Sequence, residues 1–596
     1  MADFRDKYWY QDIREISTIQ ELLCGSRELY GDNPAFWIKK KKGTDYVPIN
    51  YKLLLHDVEA LGLKLREMGI SKERVAIIGM SSYEWIVTYF AVVTGGGIAV
   101  PLDKELSTPE IENLLVTAES NIIFYTSSES EKIDALKGDY KRVKMEFYGD
   151  RTDISVSMKD YIAENGLAVS GADEKADYLW KDLVAAGEEI METQGSDFFD
   201  TPDDPDRMSA LLFTSGTTGN PKGVMLCQRS ITANIMDTCR IAHILQSDKT
   251  LSILPIHHTY ECTFGMMLVL YRGASTAFCE GLKYITTNLK ESQTTVLIAV
   301  PLVLEMVYNK IWKTVKKQGK EGTLKKAIGI NNKLKGLGLD LSRKLFKQIH
   351  EELGGKLRMV ITGAAAIDPN ILRGFEDLGI IVLQGFGLTE CTPLVSGTPQ
   401  KAKERYKKAG SVGLVVKSGE VQIVDKDEDG IGEVVFKGPN VMMGYYNMPE
   451  ETAKVLKDGW FYTGDLGFMD SDGWLYLTGR QKNVIVTGTG KNIYPEEIEE
   501  VINRIPAVAD CMVYGELKGS EDVVAVQILP DMEELKEIFG RTPDADEIYK
   551  HIKNAVNEAN MTMSSYKRVK NVVIREDDFV RTTTRKIKRA DNMPAK

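Results

Sequence analysis

The chain has 596 residues, of which 43% are hydrophobic and 27% charged, with a net charge of −11. This composition excludes a wholly disordered chain and a collagen-like repeat, and the length suits several compact units. The acidic balance argues against non-specific nucleic-acid binding, which needs clustered Lys and Arg, so no nucleic-acid partner is expected.

The first residues show no basic stretch followed by an apolar one, and the apolar run from Val75 to Leu102 is broken by Glu84 and Gly95 to Gly97. Neither a signal peptide nor a membrane span is expected. The seven cysteines form no CxxC pair, so no zinc site or disulfide framework is read, and the expected setting is reducing and cytoplasmic.

Along the chain, Leu53, Val58, Leu61 and Leu65 mark a helical face, Val75 to Ile78 a buried strand, Ser82 to Thr94 a helix and Ile98 to Leu102 a strand. Such alternation predicts α/β layering. Residues 126–206 are polar, end in an acidic run from Asp197 to Asp206, and read as a surface excursion and linker. The α/β pattern resumes at Ala210 to Phe213 and continues to about residue 400. From 410 short strands between Gly/Asp turns predict a small barrel-like β part. Asp425, Asp427, Asp429 and Gly430 begin like an EF-hand loop, but Phe436 stands where the bidentate Glu belongs, so a β-turn is predicted. After Gly479 an α+β unit follows. Pro495 opens a helix at its first position, strands lie at 508–514 and 522–529, a helix near 544–560 and a strand at 571–575.

The sharpest chemical feature is the run Thr214, Ser215, Gly216, Thr217, Thr218, Gly219, Asn220, Pro221, Lys222, Gly223, with strand residues before it and a helical pattern after it. Glycines let backbone N–H groups approach phosphate oxygens, hydroxyls add donors and Lys222 adds a cation. The run lacks the Gly-Lys spacing of a Walker A loop. It closely resembles the signature loop of the adenylate-forming (AMP-binding) superfamily, which includes acyl-CoA synthetases, adenylation domains and luciferases.

Further segments resemble that superfamily's motifs, in its order: Leu254 to Glu261 (LPIHHTYE), Gln384 to Glu390 (QGFGLTE, with Phe386 in a Tyr position), Gly438 to Tyr446, Tyr462 to Asp465, Gly479 to Asn483, and Arg581 to Arg589. The LPIHHTYE segment looks like that of long-chain acyl-CoA synthetases. The resemblance implies a large N-terminal domain over 1–479, of layered α/β subdomains plus a small β-barrel-like part, and a mobile α+β domain over 480–596. The implied activity is AMP-forming activation of a fatty acid followed by transfer to CoA, with ATP, CoA and Mg²⁺ taking part. Transfer to a carrier protein, or an aryl acid as substrate, stays open.

By resemblance, the 214–219 loop holds the outer phosphates, Thr389 the α-phosphate and Glu390 the magnesium. Gly363, Ala364 and Ala365 pack against the adenine, and Gln384, Gly385, Phe386 and Gly387 belong to the ATP/AMP site. Asp465 takes the ribose hydroxyls, with Arg480 beside it. Lys586 bridges the carboxylate and the α-phosphate, although Thr583 and Arg585 depart from the usual motif. Lys482 is the hinge, and His258 and Glu261 belong to the acyl pocket. Gly488, Thr489 and Gly490 line the pantetheine tunnel, where Thr489 replaces a common Gly. These assignments suit the chemistry. A carboxylate attacking a triphosphate sets two anions together, and the site must neutralise charge while holding the atoms in line.

Residues 310–358 carry 14 Lys/Arg against 4 Asp/Glu. This reads as a solvated helical face, or as a patch for CoA, an acyl carrier or an anionic membrane at which the protein is peripheral. Oligomeric state is not legible.

Overall fold

The computed structural model describes residues 3–146, 151–167, 176–214, 221–486, 492–518, 521–582 and 586–594. Two sheets organise the larger part. One has eight strands in the order Gly444–Tyr445, Lys222–Cys227, Met208–Thr214, Ile98–Leu102, Arg74–Ile78, Ile122–Thr126, Lys141–Met145 and Tyr178–Leu179. It is parallel from Met208–Thr214 outward and antiparallel at the Lys222–Cys227 side.

The other has nine strands: Leu414–Val415, Leu394–Gly397, Ile381–Gly387, Met359–Thr362, Val296–Ala299, Lys249–Ser252, Ser275–Phe278, Pro34–Ile38 and Val47–Asn50. Its centre is parallel and all-apolar strands such as Val296–Ala299 are wholly buried, as expected of strands covered on both faces. The helix Tyr83–Thr94, capped by Ser82, is buried at all twelve positions, the mark of a helix enclosed between layers.

Residues 126–206 are more than a linker. The strands Lys141–Met145 and Tyr178–Leu179 extend the eight-stranded sheet, and the helix Trp180–Gln194 packs on the helix Tyr51–Glu67. A Cβ at Gly187 would lie 1.8 Å from the carbonyl oxygen of Ala60, so glycine is what lets these two backbones touch. Buried Arg151 pairs with Asp57 at 2.6 Å and with Glu188, tying the segment to the core. Its polarity misleads because several of its charges pair internally instead of facing water.

An antiparallel five-stranded sheet follows, from Glu420–Val424 and Gly432–Lys437 to Trp460–Met469, with Leu456–Lys457 and Leu475–Arg480 beside the last. The Asp425–Gly430 loop is a turn. Asp427 Oδ1 accepts from the backbone N–H groups of Asp429 and Ile431, each at 3.0 Å.

A second hydrophobic core gathers Ile485, Ile498, Ile502, Val513, Val526 and Ile552. Here the hairpin Val508–Lys518/Glu521–Pro530 and the parallel strand Asn571–Ile574 form a sheet. Helices Pro495–Ile502 and Ala545–Asn560 lie on it. A further helix, Met532–Phe539, is capped by Asp531. Tyr494 donates to Asp427 Oδ2 at 2.9 Å and Arg504 pairs with Asp368 at 3.1 Å, joining the two cores. No helix among the described residues is long and apolar enough to cross a membrane.

Candidate active site

A cavity of about 3060 Å³ opens between the sheets and the C-terminal unit. Strand ends build its walls, as in open α/β sheets generally. Thr214 ends one strand and Lys222 begins the next, directly opposite in register, so two antiparallel strands flank the motif. This corrects the expectation of a helix after the loop. The apolar run from Gly223 to Cys227 is a strand, and the helix Gln228–Ile241 starts only beyond it. Ser215, Gly216, Thr217, Thr218 and Gly219 lie outside the described residues, as do Gly488, Thr489 and Gly490.

Lys222 Nζ pairs with Glu451 Oε2 at 2.7 Å and lies 4.9 Å from the ring centre of Tyr445. Tyr445 donates to Glu390 Oε1 at 2.9 Å. Glu390 Oε2 has no protein partner among the described residues, which leaves a hard oxygen donor facing the cavity and fits a Mg²⁺ shared with phosphate oxygens. Thr389 and Glu390 sit on the single turn Thr389–Cys391 after the strand Ile381–Gly387. Buried Asn440 staples that turn, donating to the carbonyl oxygens of Cys391 at 2.7 Å and Leu394 at 2.9 Å. The Gly438 to Tyr446 block therefore supports Glu390 and Lys222 together. The repeated Gly and Tyr in that block were the visible signal, but partners 55 residues apart are not legible in one sequence.

Gly363, Ala364 and Ala365 follow the strand Met359–Thr362 and line the cavity opposite Gly385, Phe386 and Gly387. Ala364 has φ +75°, a left-handed conformation that costs an alanine about 1 kcal/mol or more and turns the chain sharply at the wall. Gln384 departs from the expectation. It does not line the main cavity but a separate small pocket with Leu372, Thr398 and Arg405.

Asp465 and Arg480 face one another on paired strands, with Arg480 Nε 2.8 Å from Asp465 Oδ1. Asp465 Oδ2 is buried and has no hydrogen-bond partner among the described residues. Such an orphan acceptor is costly unless a ligand completes it, and a pair of ribose hydroxyls fits that need. Burial raises the Asp465 carboxyl, opposed by the charges of Arg480 and Lys586.

Lys586 is held by backbone pairing with the residues just before 583. Arg581 bridges Ile587, and Thr582 N–H donates to the Lys586 carbonyl at 2.8 Å. Its side chain keeps open surface, but what it opens onto is the cavity. Burial, then the charge of Arg480, pushes its ammonium down to about 8, against the pull of Asp465. Lys588 also lines the cavity, but its charge contributes to Glu110 and not to Asp465.

His258 lines the cavity, with Nδ1 buried and without a partner among the described residues, and burial holds it neutral with a pKa of about 3. His257 lies 3.7 Å from Asp103. Glu261, expected beside His258, does not reach the cavity. Its carboxyl folds over Gly265, where a Cβ would stand 2.6 Å away, and burial pushes it up to about 8. The π-helix Tyr260–Met267 presents Tyr260 and Phe264 to the cavity instead. Tyr260 Oη lies 3.0 Å from the Ile361 carbonyl oxygen, and its ring stands edge-on to Phe264 at 5.8 Å. Lys482 lines the cavity within the turn Gln481–Asn483, between the two cores.

Comparison with known proteins agrees with this geometry. The family described as AMP-binding enzyme matches residues 26–446, and the AMP-binding enzyme C-terminal domain matches residues 482–593. The chain belongs to this family of adenylate-forming enzymes. It is 26% identical to fatty acyl-CoA synthetase A of Dictyostelium discoideum over 94% of this chain and 84% of that one. It is 27% identical to long-chain-fatty-acid–CoA ligase 1 of Cavia porcellus (89% and 75%) and 27% identical to indoleacetate–CoA ligase of Aromatoleum aromaticum (91% and 92%). Among solved structures, the anthranilate CoA ligase AuaEII with anthranoyl-AMP superposes with a TM-score of 0.73 at 18% identity, covering 98% of this chain and 96% of that one. ATP-bound MatB of Rhodopseudomonas palustris gives 0.70 at 23% (96% and 97%). These likenesses carry the fold.

Proposed function

We propose that this protein activates a fatty acid with ATP, forming an acyl-adenylate and pyrophosphate, and then passes the acyl group to the thiol of CoA. The observation that carries this reading is the convergence of Lys586, Arg480 and the orphan oxygen of Asp465 on one wall, with Lys222, Tyr445 and Glu390 on another. Asp465 Oδ2 accepts from the ribose and fixes the nucleoside. Lys586 neutralises the carboxylate and the α-phosphate as they approach, while Thr389 donates to the same phosphate. Lys222 exchanges Glu451 for the outer phosphates. Glu390 would hold Mg²⁺, which supplies charge neutralisation on the triphosphate. Protein cations and donors placed before the reaction lower its barrier because they need not reorganise.

The second step needs the mixed anhydride exposed to a thiol. Lys482, between the two cores, is the proposed hinge that withdraws Lys586 and its domain, with 1–479 and 480–596 as the moving bodies. The fatty-acyl assignment draws support from the LPIHHTYE segment and from the relatives named long-chain ligases.

An aryl acid is the second reading. The aromatic pair Tyr260 and Phe264, edge-on to one another on the cavity wall, favours it. The test is pyrophosphate release across acids from acetate to long-chain and aryl, with and without CoA. CoA-stimulated turnover greatest with long-chain acids supports the proposal. A preference for aryl acids replaces it, and adenylate without thioester points to a carrier acceptor.

A further inference from the structure

The basic segment 310–358 is not one face. Arg343 donates to the Leu357 carbonyl oxygen, Lys335 donates to the Glu376 carbonyl oxygen, and Arg358 pairs with Asp248. Lys313 and Lys316 lie 3.9 Å from Glu533 and Glu537 of the C-terminal unit. These cations have internal uses. Another set does not. On the helix Glu321–Gly336, the residues Lys326, Ile330, Lys333 and, just past its end, Leu337 follow a spacing of four, three and four and are all exposed. Among the described residues no carboxylate pairs with Lys326, Lys333 or Lys344.

The chain then turns back. Buried Asn331 accepts from the backbone N–H of Leu341 at 3.0 Å and donates to Ser342 Oγ at 2.9 Å, which folds the following turn back onto the helix. Leu339 and Leu345 on that turn are 58% and 45% exposed, and Leu337 is 79% exposed. Large aliphatic side chains interleaved with unpaired lysines are poorly matched to bulk water. They match the headgroup–acyl boundary of an anionic bilayer, where leucines enter the apolar layer and lysines meet phosphates. The chain as a whole carries −11, so the surface outside this patch would be repelled by anionic lipid and the patch would set the orientation. It also adjoins the cavity. Lys325 lies 5.9 Å from the ring of Trp312, and both line the cavity with exposed Leu302 and Met306.

We infer that residues 326–347 dock this protein on an anionic membrane surface, with the cavity mouth beside the lipid. Docking is independent of which acid is the substrate. Delivery of acid from the bilayer rests on the fatty-acyl reading.

The experiment is co-sedimentation of the full chain with phosphatidylcholine vesicles, with and without about one-third phosphatidylglycerol, from low to high salt. Binding is expected only to the anionic vesicles and should fall with salt. Lys326→Gln/Lys333→Gln/Lys344→Gln should weaken it about 100-fold, roughly fivefold per lysine. The charge-matched variant Lys137→Gln/Lys159→Gln/Lys550→Gln, exposed elsewhere, should bind like the parent. Leu337→Ser, at a surface position that does not threaten folding, should weaken binding severalfold by itself. Absence of anionic vesicle binding overturns the inference, as does equal loss in both triple variants. Lysine-dependent capture of an acidic acyl carrier protein without vesicle binding also overturns it, in favour of a protein partner.

Discussion

Tyr445 donates a 2.9 Å hydrogen bond to Oε1 of Glu390 while its ring lies 4.9 Å from the ammonium of Lys222. One tyrosine thus holds the proposed magnesium ligand and the proposed phosphate cation in a common frame. The strand pairing of Gly444–Tyr445 with Lys222–Cys227 fixes that tyrosine in turn.

Tyr445→Phe keeps the ring and removes the bond to the carboxylate. Hydrogen bonds to charged groups are worth about 1.5–3 kcal/mol. The expected loss in kcat/KM for ATP is therefore roughly 10- to 100-fold, with a raised Mg²⁺ requirement and an unchanged melting temperature. Pyrophosphate exchange at varied Mg²⁺ measures this. A parent-like Mg²⁺ dependence would show that Glu390 needs no such support.

Lys586→Ala should cut adenylate formation by orders of magnitude while ATP binding and thioester formation from preformed acyl-adenylate survive. Lys588→Ala should have a much smaller effect, because the Asp465 carboxyl feels the charge of Lys586 and not that of Lys588. The reverse ranking would move the role to Lys588.

The pH profile follows from the same lysine. Its pKa is depressed to about 8 in the folded state, and only the protonated form neutralises the two anions. Adenylation should fall as pH rises through about 8. Arg480→Gln removes a repelling cation and should move this alkaline limb upward, whatever it does to the maximal rate. For stability the sign is opposite to the common case. Between the folded value and the ordinary lysine range the unfolded chain binds more protons, so the burden of Lys586 lessens as pH rises. Single-turnover adenylation from neutral to alkaline pH separates these effects. A flat profile would mean that the ammonium titrates well above this range.

Glu451 pairs with Lys222, and that lysine in turn holds the Glu451 carboxyl down to about 2. A phosphate must displace it. Glu451→Gln should lower KM for ATP severalfold with little change in kcat. An increase in KM would instead make Glu451 a positioning residue for Lys222.

Lys482→Pro stiffens the turn between the two cores, because proline fixes φ. Thioester formation from preformed acyl-adenylate should fall by at least tenfold more than adenylation. Equal losses in both half-reactions would place the pivot elsewhere.

Much of this protein was legible in its sequence because the evidence was local. The Thr214 to Gly223 run, the periodic faces of 51–67 and 495–502, and the helix-opening Pro495 are each written within a few residues. Composition and motif order were sufficient for the fold class and the family. The tertiary structure decided whatever depends on which side of a strand or helix a residue faces, and on partners far away in the chain. Glu261 sits one helical turn from Gly265 and folds onto it, leaving the cavity wall to Tyr260 and Phe264. Gln384 projects into a different pocket from its neighbours. Arg151 makes an apparently solvated excursion part of the core by meeting Asp57, 94 residues earlier. Buried polar groups need partners, and the partners are chosen by three-dimensional packing, which a linear pattern of hydrophobic and charged residues does not specify.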